Sequence, residues 1–230
     1  MIFHALITAR GGSKGIKKKN LQKIGGKKLI EMSLITAKKS KLFHEIYCSS
    51  DSSEILNSAK KYSKLIKRPK KLALDNTPSE MVVLHYLKHL KESNKLEPDV
   101  LFLIQPTSPF IKIKTIKDMI DIFKKKKNVK SVISICKVPH KFNFVNQRIL
   151  LKNGRMKFIF KRKKKYFRRQ NKPEVYAHGN LYSVKIKDFK KLKSFHIDPT
   201  YTVMLKNFHE TLDIDGKDDL NLARKISRKW

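Results

Sequence analysis

Apolar and amphipathic runs alternate along the first 137 residues of this chain. Short apolar runs are typical of buried strands, whereas apolar residues that recur every three or four positions indicate helices. The predicted strands are residues 3–8, 45–49, 65–67, 100–104 and 131–136. The predicted helices are residues 28–40, 52–62, 79–92 and 113–125. This order predicts an α/β fold, with a mostly parallel, Rossmann-like sheet and helices on both of its faces.

The pattern changes after Lys137. Residues 148–160 predict a hairpin with Asn153-Gly154 at its turn, and a basic stretch follows the hairpin. The elements predicted after this stretch are strands at 181–186 and 201–205 and a helix near 218–227. We therefore assign residues 1–137 and 201–230 to one α/β domain and residues 138–200 to a small β-rich insertion.

The chain carries 54 Lys and Arg residues against 19 Asp and Glu residues, a net charge of +35. Residues 158–169 interleave aromatic and basic side chains, as nucleic-acid-binding proteins do. Lysine supplies most of the charge, however, and it is spread along the whole chain, including helix faces such as residues 124–127. Compositional bias and attraction of an anionic substrate explain this distribution better, so a nucleic-acid partner is not expected.

No apolar run reaches the roughly 20 residues that cross a bilayer. The first seven residues lack the basic region of a signal peptide, so we expect a cytoplasmic protein without a membrane partner. Cys48 and Cys136 both fall in predicted strands, where they are expected to be small core residues.

A glycine-rich, basic loop follows the first strand directly: Arg10-Gly11-Gly12-Ser13-Lys14-Gly15, then Lys19-Asn20. Loops at the carboxyl ends of strands bind ligands in open α/β sheets, and glycines let backbone N–H groups cradle phosphate. Arg10, Lys14 and Lys19 add the charge that a triphosphate needs. The loop matches neither a Walker A motif nor Gly-x-Gly-x-x-Gly, and an ordinary turn in a lysine-rich chain is the alternative.

Three more residues suit a nucleotide site. Gln105 follows a buried strand, in Gln105-Pro106-Thr107-Ser108-Pro109, and its amide offers donors and an acceptor to a base or a sugar. Arg68 and Ser79 fit a nucleotide pocket. Their alternative roles are a surface cation and the N-cap of the helix at 79–92.

Asp213 and Asp215 are separated by one residue, so in extended backbone they point to one face and Ile214 points to the core. Two carboxylates on one face beside a triphosphate suit Mg²⁺, which would offset charge on a departing pyrophosphate. The alternative is a solvated acidic turn before a helix.

The loop resembles the N-terminal signature of the acylneuraminate cytidylyltransferases, A-R-x-G-S-K-G followed after three residues by K-N. Further landmarks of that family follow in order over essentially the whole chain. They are Ser49-Ser50-Asp51, Arg68-Pro69, Leu72-Ala73, Asp75, Thr77-Pro78-Ser79, Leu103 to Pro109, Arg169-Gln170, Pro173 and Asp213-Ile214-Asp215.

The resemblance implies a Mg²⁺-dependent homodimer that joins CMP, from CTP, to a nonulosonic (sialic-acid-like) sugar acid. It implies that Lys19, Asp213 and Asp215 are catalytic, with both aspartates holding the metal. The nucleotide-binding residues that it implies are Arg10, Gly12, Ser13, Lys14, Lys19, Asn20, Arg68 and Ser79. The sugar-binding residues are Gln105, Lys141, Arg169 and Gln170. The insertion would supply sugar contacts, partly to the neighbouring subunit, and the dimer interface.

One segment departs from the family, which has Asn-Gly-Ala where this chain has His178-Gly179-Asn180. His178 would contact the acyl sugar or cap a turn, and Asn180 is a further candidate for the sugar tail. The departure favours a relative of sialic acid of the legionaminic or pseudaminic kind. The rival functions are a 3-deoxy-octulosonate cytidylyltransferase and a basic nucleic-acid-binding module.

Overall fold

A computed structural model of the chain describes residues 1–161 and 163–228. The strands are β1 (Phe3–Thr8), β2 (Lys23–Ile24), β3 (Lys27–Lys28), β4 (Glu45–Ser50), β5 (Lys64–Lys67), β6 (Val100–Ile104), β7 (Ser131–Lys137), β8 (Arg148–Leu150), β9 (Met156–Phe158), β10 (Tyr176–Lys185) and β11 (Thr200–Met204). The helices are α1 (Leu29–Ser40), α2 (Ser53–Ala59), α3 (Ser79–Glu92), α4 (Ile113–Lys125), α5 (Ile186–Leu192) and α6 (Lys217–Ser227). None of the described helices is long and apolar enough to cross a membrane.

Seven strands form the central sheet, in the order β11-β7-β10-β6-β1-β4-β5. The pairs β1–β4, β1–β6, β4–β5 and β7–β11 are parallel, whereas β10 runs antiparallel to both of its neighbours. The prediction of a mostly parallel sheet is therefore confirmed.

Alternate residues of each strand face opposite sides of the sheet, and helices cover both sides. Along β1, Ala5 and Ile7 pack into the core formed with α1, α2 and α4. Leu6 points the other way, into the core formed with α3 and α5. Helices therefore cover both faces, which confirms the prediction. This cover explains why the central strands are apolar on both sides.

The chain moves outward from β1 in two directions, through β4 and β5 on one side and through β6 on the other. The loops that follow β1 and β6 therefore diverge at the carboxyl edge and leave a crevice between them. Crevices of this kind are where open α/β sheets bind ligands.

The segment outside the sheet is shorter than the predicted insertion at 138–200. Strand β10 lies inside the sheet between β6 and β7, and helix α5 packs on it, so only residues 138–175 remain outside. The strand begins at Tyr176, which pairs with Lys137, and not at residue 181 as predicted. The first half of β10 consists of polar or small residues, so the hydrophobic pattern does not predict it.

The hairpin within residues 138–175 is confirmed. Strand β8 pairs with β9, and the Leu151 N–H donates to the Arg155 carbonyl oxygen at 2.7 Å. Gly154 has φ 76°, a left-handed conformation that glycine adopts without a Cβ clash. The turn residue type thus matches the backbone that the turn requires.

Candidate active site

A cleft of about 430 Å³ lies at the carboxyl edge of β1 and β6. Its walls are the glycine-rich loop, the segment between β5 and α3, the start of α3, the loop after β6 and the Asp213–Asp215 segment. The site residues predicted from sequence that line it are Arg10, Ser13, Lys14, Lys19, Asn20, Arg68, Ser79, Gln105, Asp213 and Asp215. Five stretches of the sequence thus converge on one cleft.

Lys19 connects the glycine-rich loop to the acidic segment. Its Nζ donates to the Ile214 carbonyl oxygen at 2.7 Å and lies 3.3 Å from Asp215 Oδ1. The loop backbone also packs tightly against this segment at Gly15, where an added Cβ would lie 2.7 Å from the Asp215 carbonyl oxygen. Any other residue than glycine would force the loop away from Asp215. Gly12 lies outside the lining of the cleft.

The first turn of the loop is held by side chains that bond to the backbone. Asn20 Nδ2 donates to the Arg10 carbonyl oxygen at 2.9 Å, and Asn20 is buried. The Gly11 N–H donates to Asp51 Oδ1 at 2.9 Å, which ties the loop to the end of β4. Asn20 therefore shapes the loop from beneath while it borders the cleft.

Two cations of the loop share one carboxylate. Arg10 Nη1 contacts Asp75 Oδ1, and Lys14 Nζ lies 2.7 Å from Asp75 Oδ2. The two cations hold the pKa of the Asp75 carboxyl below its usual range through the hydrogen bonds that they donate, with Lys14 first. The sequence marks Asp75 only as a landmark of the family. The signal that could have shown its role is an acidic residue, rare in this chain, among basic neighbours.

Arg68 is buried and is not the surface cation that was its alternative role. Only 6% of it is exposed, and its Nε and Nη2 find no partner among the described residues. Burial lowers the pKa of its guanidinium, and the nearby Asp51 carboxylate offsets part of that effect. A buried cation with free N–H groups at a cleft wall is ready to receive an anionic or carbonyl group.

Asp213 and Asp215 are exposed, whereas Ile214 between them is fully buried. The Ile214 N–H donates to the Thr107 carbonyl oxygen at 2.9 Å, so the loop after β6 fixes this segment. The two carboxylates fit Mg²⁺, which is commonly held by one or two carboxylates together with substrate phosphates. The described residues contain no cluster of three or more His, Cys, Asp or Glu for a metal, so phosphate and water would complete the coordination.

Ser79 is the first residue of α3, and Pro78 occupies the N-cap position. The alternative role of Ser79 as the N-cap is therefore wrong. Ser79 lines the same cleft as Arg68.

The other predicted sugar residues do not reach this cleft within one chain. Arg169 and Gln170 line a second cleft of about 590 Å³, which also contains His140 and Lys172. Lys141 lies outside both clefts, with its Nζ 4.7 Å from the centre of the Phe142 ring. Among the predicted sugar-binding residues, the main cleft holds Gln105 alone.

The segment that departs from the family lies in β10. Asn180 is buried, and its Nδ2 donates to the Glu210 carbonyl oxygen at 2.5 Å, so its amide supports the fold and does not line the cleft. His178 lies within the strand rather than at a turn, and its ring stacks on His196 at 4.5 Å. A Cβ on Gly179 would lie 2.4 Å from Ser134 Oγ, which explains why glycine is retained there.

A family model described as cytidylyltransferase matches residues 4–229 of the chain. The CMP-N,N'-diacetyllegionaminic acid synthase of Legionella pneumophila is 31% identical over 225 residues, which are 96% of this chain and 94% of that protein. The pseudaminic acid cytidylyltransferase of Campylobacter jejuni is 27% identical over 95% of this chain and 93% of its own length. The N-acylneuraminate cytidylyltransferase of Escherichia coli is 25% identical over 98% of this chain, which spans 52% of that protein.

Solved structures share the fold. A CMP:2-keto-3-deoxy-manno-octonic acid synthetase complexed with CTP superposes with a TM-score of 0.72 at 14% identity, over 100% of this chain and 99% of that one. The 4-diphosphocytidyl-2C-methyl-D-erythritol synthase of Anaerococcus prevotii superposes with a TM-score of 0.66 at 18% identity, over 99% and 98% of the two chains. These similarities confirm the Rossmann-like architecture.

Proposed function

Because this chain belongs to the cytidylyltransferase family, we propose that it transfers CMP from CTP to a nonulosonic acid and releases pyrophosphate. One observation carries the proposal: a cationic loop and an acidic pair line a single cleft, and buried Arg68 in its wall has two guanidinium nitrogens, Nε and Nη2, without a partner among the described residues. The cationic loop suits a triphosphate, and the acidic pair suits its metal ion.

In the proposed reaction, the anomeric hydroxyl oxygen of the sugar acid attacks the α-phosphorus of CTP. The bond from that phosphorus to the bridging oxygen breaks, pyrophosphate leaves, and the hydroxyl proton passes to solvent. Arg10, Lys14 and Lys19 bind the triphosphate and stabilise the charge that moves onto pyrophosphate. Arg68 and Ser79 bind the base and ribose side, and Gln105 orients the sugar for in-line attack.

Mg²⁺ is the metal that we propose for Asp213 and Asp215, where it would neutralise charge on the triphosphate and on the departing pyrophosphate. Lys19 lies beside Asp215 and holds the backbone of the same segment. It therefore keeps the carboxylate in position beside the phosphates.

We further propose a homodimer in which residues 138–175 of one protomer complete the sugar site of the other. Arg169, Gln170 and Lys141 would then reach the sugar carboxylate from the neighbouring subunit. The segment exposes several large apolar side chains, a pattern typical of interfaces. They are Phe142, Phe144, Ile149, Leu150, Met156, Phe160 and Phe167.

Relatives named for legionaminic and pseudaminic acids match nearly the whole chain, and they support a bacterial nonulosonic acid as the acceptor. The octulosonate synthetase shares the fold at 14% identity, so that acceptor is the second candidate.

Pyrophosphate release tests the proposal. The purified chain is mixed with Mg²⁺, one of the four nucleoside triphosphates, and legionaminate, pseudaminate, N-acetylneuraminate or 3-deoxy-octulosonate in turn. We expect release with CTP, a nine-carbon acid and the metal together, and a CMP-sugar mass in the product. Equal turnover of all four nucleotides, or full activity in excess chelator, would contradict the proposal. Preference for the eight-carbon acid would favour the second candidate.

A further inference from the structure

Asp75 lies on a segment that covers one side of the cleft. This cover segment, residues 69–78, connects β5 to α3, and Leu72, Ala73, Leu74, Asp75 and Thr77 line the cleft from it. In the part of the chain that the structure describes, the backbone bonds donated by Leu72, Ala73 and Thr77 stay within the segment. Turns within the segment therefore maintain its shape. Side-chain contacts connect it to the glycine-rich loop.

Asp75 makes that connection across the mouth of the cleft. Its two carboxylate oxygens contact two cations of the same wall, Oδ1 with Arg10 and Oδ2 with Lys14. Both cations belong to the glycine-rich loop, and both line the cleft. The carboxylate is partly exposed, with 42% of its side chain accessible, so solvent or an incoming anion can reach it.

We infer that Asp75 is an internal counter-ion that competes with the triphosphate for Arg10 and Lys14. The inference rests on the proposed function. It makes Asp75 a residue that sets the affinity for the nucleotide and does not itself bind the nucleotide. A carboxylate and a triphosphate that contact the same two cations repel each other, because both are negatively charged. Entry of the triphosphate therefore breaks both ion pairs and frees the cover segment from the glycine-rich loop.

The chemical logic is an exchange of anions. Without a ligand, the Asp75 carboxylate relieves the repulsion between Arg10 and Lys14 and keeps the cleft narrow. With a ligand, phosphate oxygens take over both cations, and the cover segment can reposition Leu72 and Ala73 around the nucleotide. The cost of breaking the two pairs reduces the apparent affinity for any polyphosphate.

Asp75→Asn in the full chain tests this inference. We expect the variant to bind tripolyphosphate and CTP about three- to tenfold more tightly, as expected for two exposed ion pairs that no longer compete. Titration calorimetry measures both ligands at matched ionic strength, and circular dichroism checks the fold. The matched control is Glu54→Gln, which removes the same charge and an ion pair with Lys18 outside the cleft. We expect that control to leave affinity near that of the wild type.

Amide exchange of residues 69–78 supplies an independent measurement. In the wild type, we expect tripolyphosphate to accelerate exchange in the cover segment, whereas Asp75→Asn exchanges fast without ligand. Weaker polyphosphate binding by Asp75→Asn would overturn the inference, because it would show that Asp75 positions the cations for the ligand. Equal tightening by Glu54→Gln would also overturn it. Binding of tripolyphosphate distinguishes the two proposals, because it tests the role of Asp75 without any turnover of CTP. Failure of the protein to use CTP would overturn the proposed function alone.

Discussion

At the scale of single residues, one buried side chain orients two exposed ones. Ile214 is fully buried among Phe110, Leu220 and neighbouring apolar groups, and its N–H is bonded to Thr107. The backbone therefore cannot rotate, and Asp213 and Asp215 stay on the cleft side. Packing of Ile214 thus sets the direction of both side chains, and Lys19 Nζ, 3.3 Å from Asp215 Oδ1, adds a contact to one of the two carboxylates.

Asp215→Asn should lower kcat by at least about a hundredfold, since it removes one charge from the pair proposed to hold the metal. Pyrophosphate release at saturating CTP measures kcat, and a Mg²⁺ titration should show weaker metal dependence. Asp218→Asn makes the same chemical change at an exposed position in the first turn of α6, and we expect near-normal turnover. Wild-type activity in the Asp215 variant would remove that residue from the metal site.

At the scale of elements, a buried polar pair joins a strand to a helix. His4 on β1 bonds through Nδ1 to the Tyr86 hydroxyl on α3 at 2.7 Å, and both residues are buried. Tyr47 on β4 packs edge-on against Tyr86 at 5.3 Å. Burial lowers the pKa of His4 from 6.5 to about 4, so the folded protein keeps this imidazole neutral.

This pKa predicts a stability that falls with acid. Between pH 6.5 and about pH 4 the unfolded chain binds a proton at His4 that the folded protein does not bind. Linkage then reduces the free energy of unfolding as pH falls through that window, by up to about 3 kcal/mol. Urea unfolding across the window should show this loss relative to the double variant His4→Phe with Tyr86→Phe. Parallel pH profiles of the two proteins would show that His4 is not the group responsible.

The elements also show what the sequence could predict. Helices α3 and α4 and strand β6 begin and end where the hydrophobic pattern predicts, because their apolar faces are uninterrupted. The first half of β10 was missed because its place depends on distant partners such as Ser134 and Glu210, which bond to Asn180. The tertiary fold likewise determines the burial of Arg68 and the contacts of Asp75 with Arg10 and Lys14. No local sequence pattern predicts them.

At the scale of the whole molecule, the proposed homodimer rests on the second cleft and on the exposed apolar side chains of residues 138–175. We expect light scattering at micromolar concentration to give twice the chain mass of 26.9 kDa. Leu150→Glu combined with Met156→Glu should yield a monomer with little activity, because both side chains are exposed on the hairpin. Leu96→Glu, at an exposed leucine outside residues 138–175, serves as the control. A wild-type protein that is monomeric at this concentration would contradict the dimer.

Mixed dimers test the proposed sharing of the sugar site between subunits. Asp215→Asn and Arg169→Ala should each be nearly inactive alone. If Arg169 serves the neighbouring subunit, mixing the two restores activity, since one site of each hybrid then has both residues intact. No recovery after subunit exchange would place Arg169 in the site of its own chain or in neither.

The central position of β10 also governs how the protein can be made. The sheet has β6 and β7 on either side of a strand that the ribosome produces only after residues 138–175. Until residues 176–185 emerge, β6 and β7 each present an open edge, and β7 cannot join the rest of the sheet. Any fragment that ends before Tyr176 should therefore aggregate rather than fold. The glycine-rich loop is synthesised early, but Asp213 and Asp215 line the same cleft, so the cleft can form only after the second half of the chain has been made.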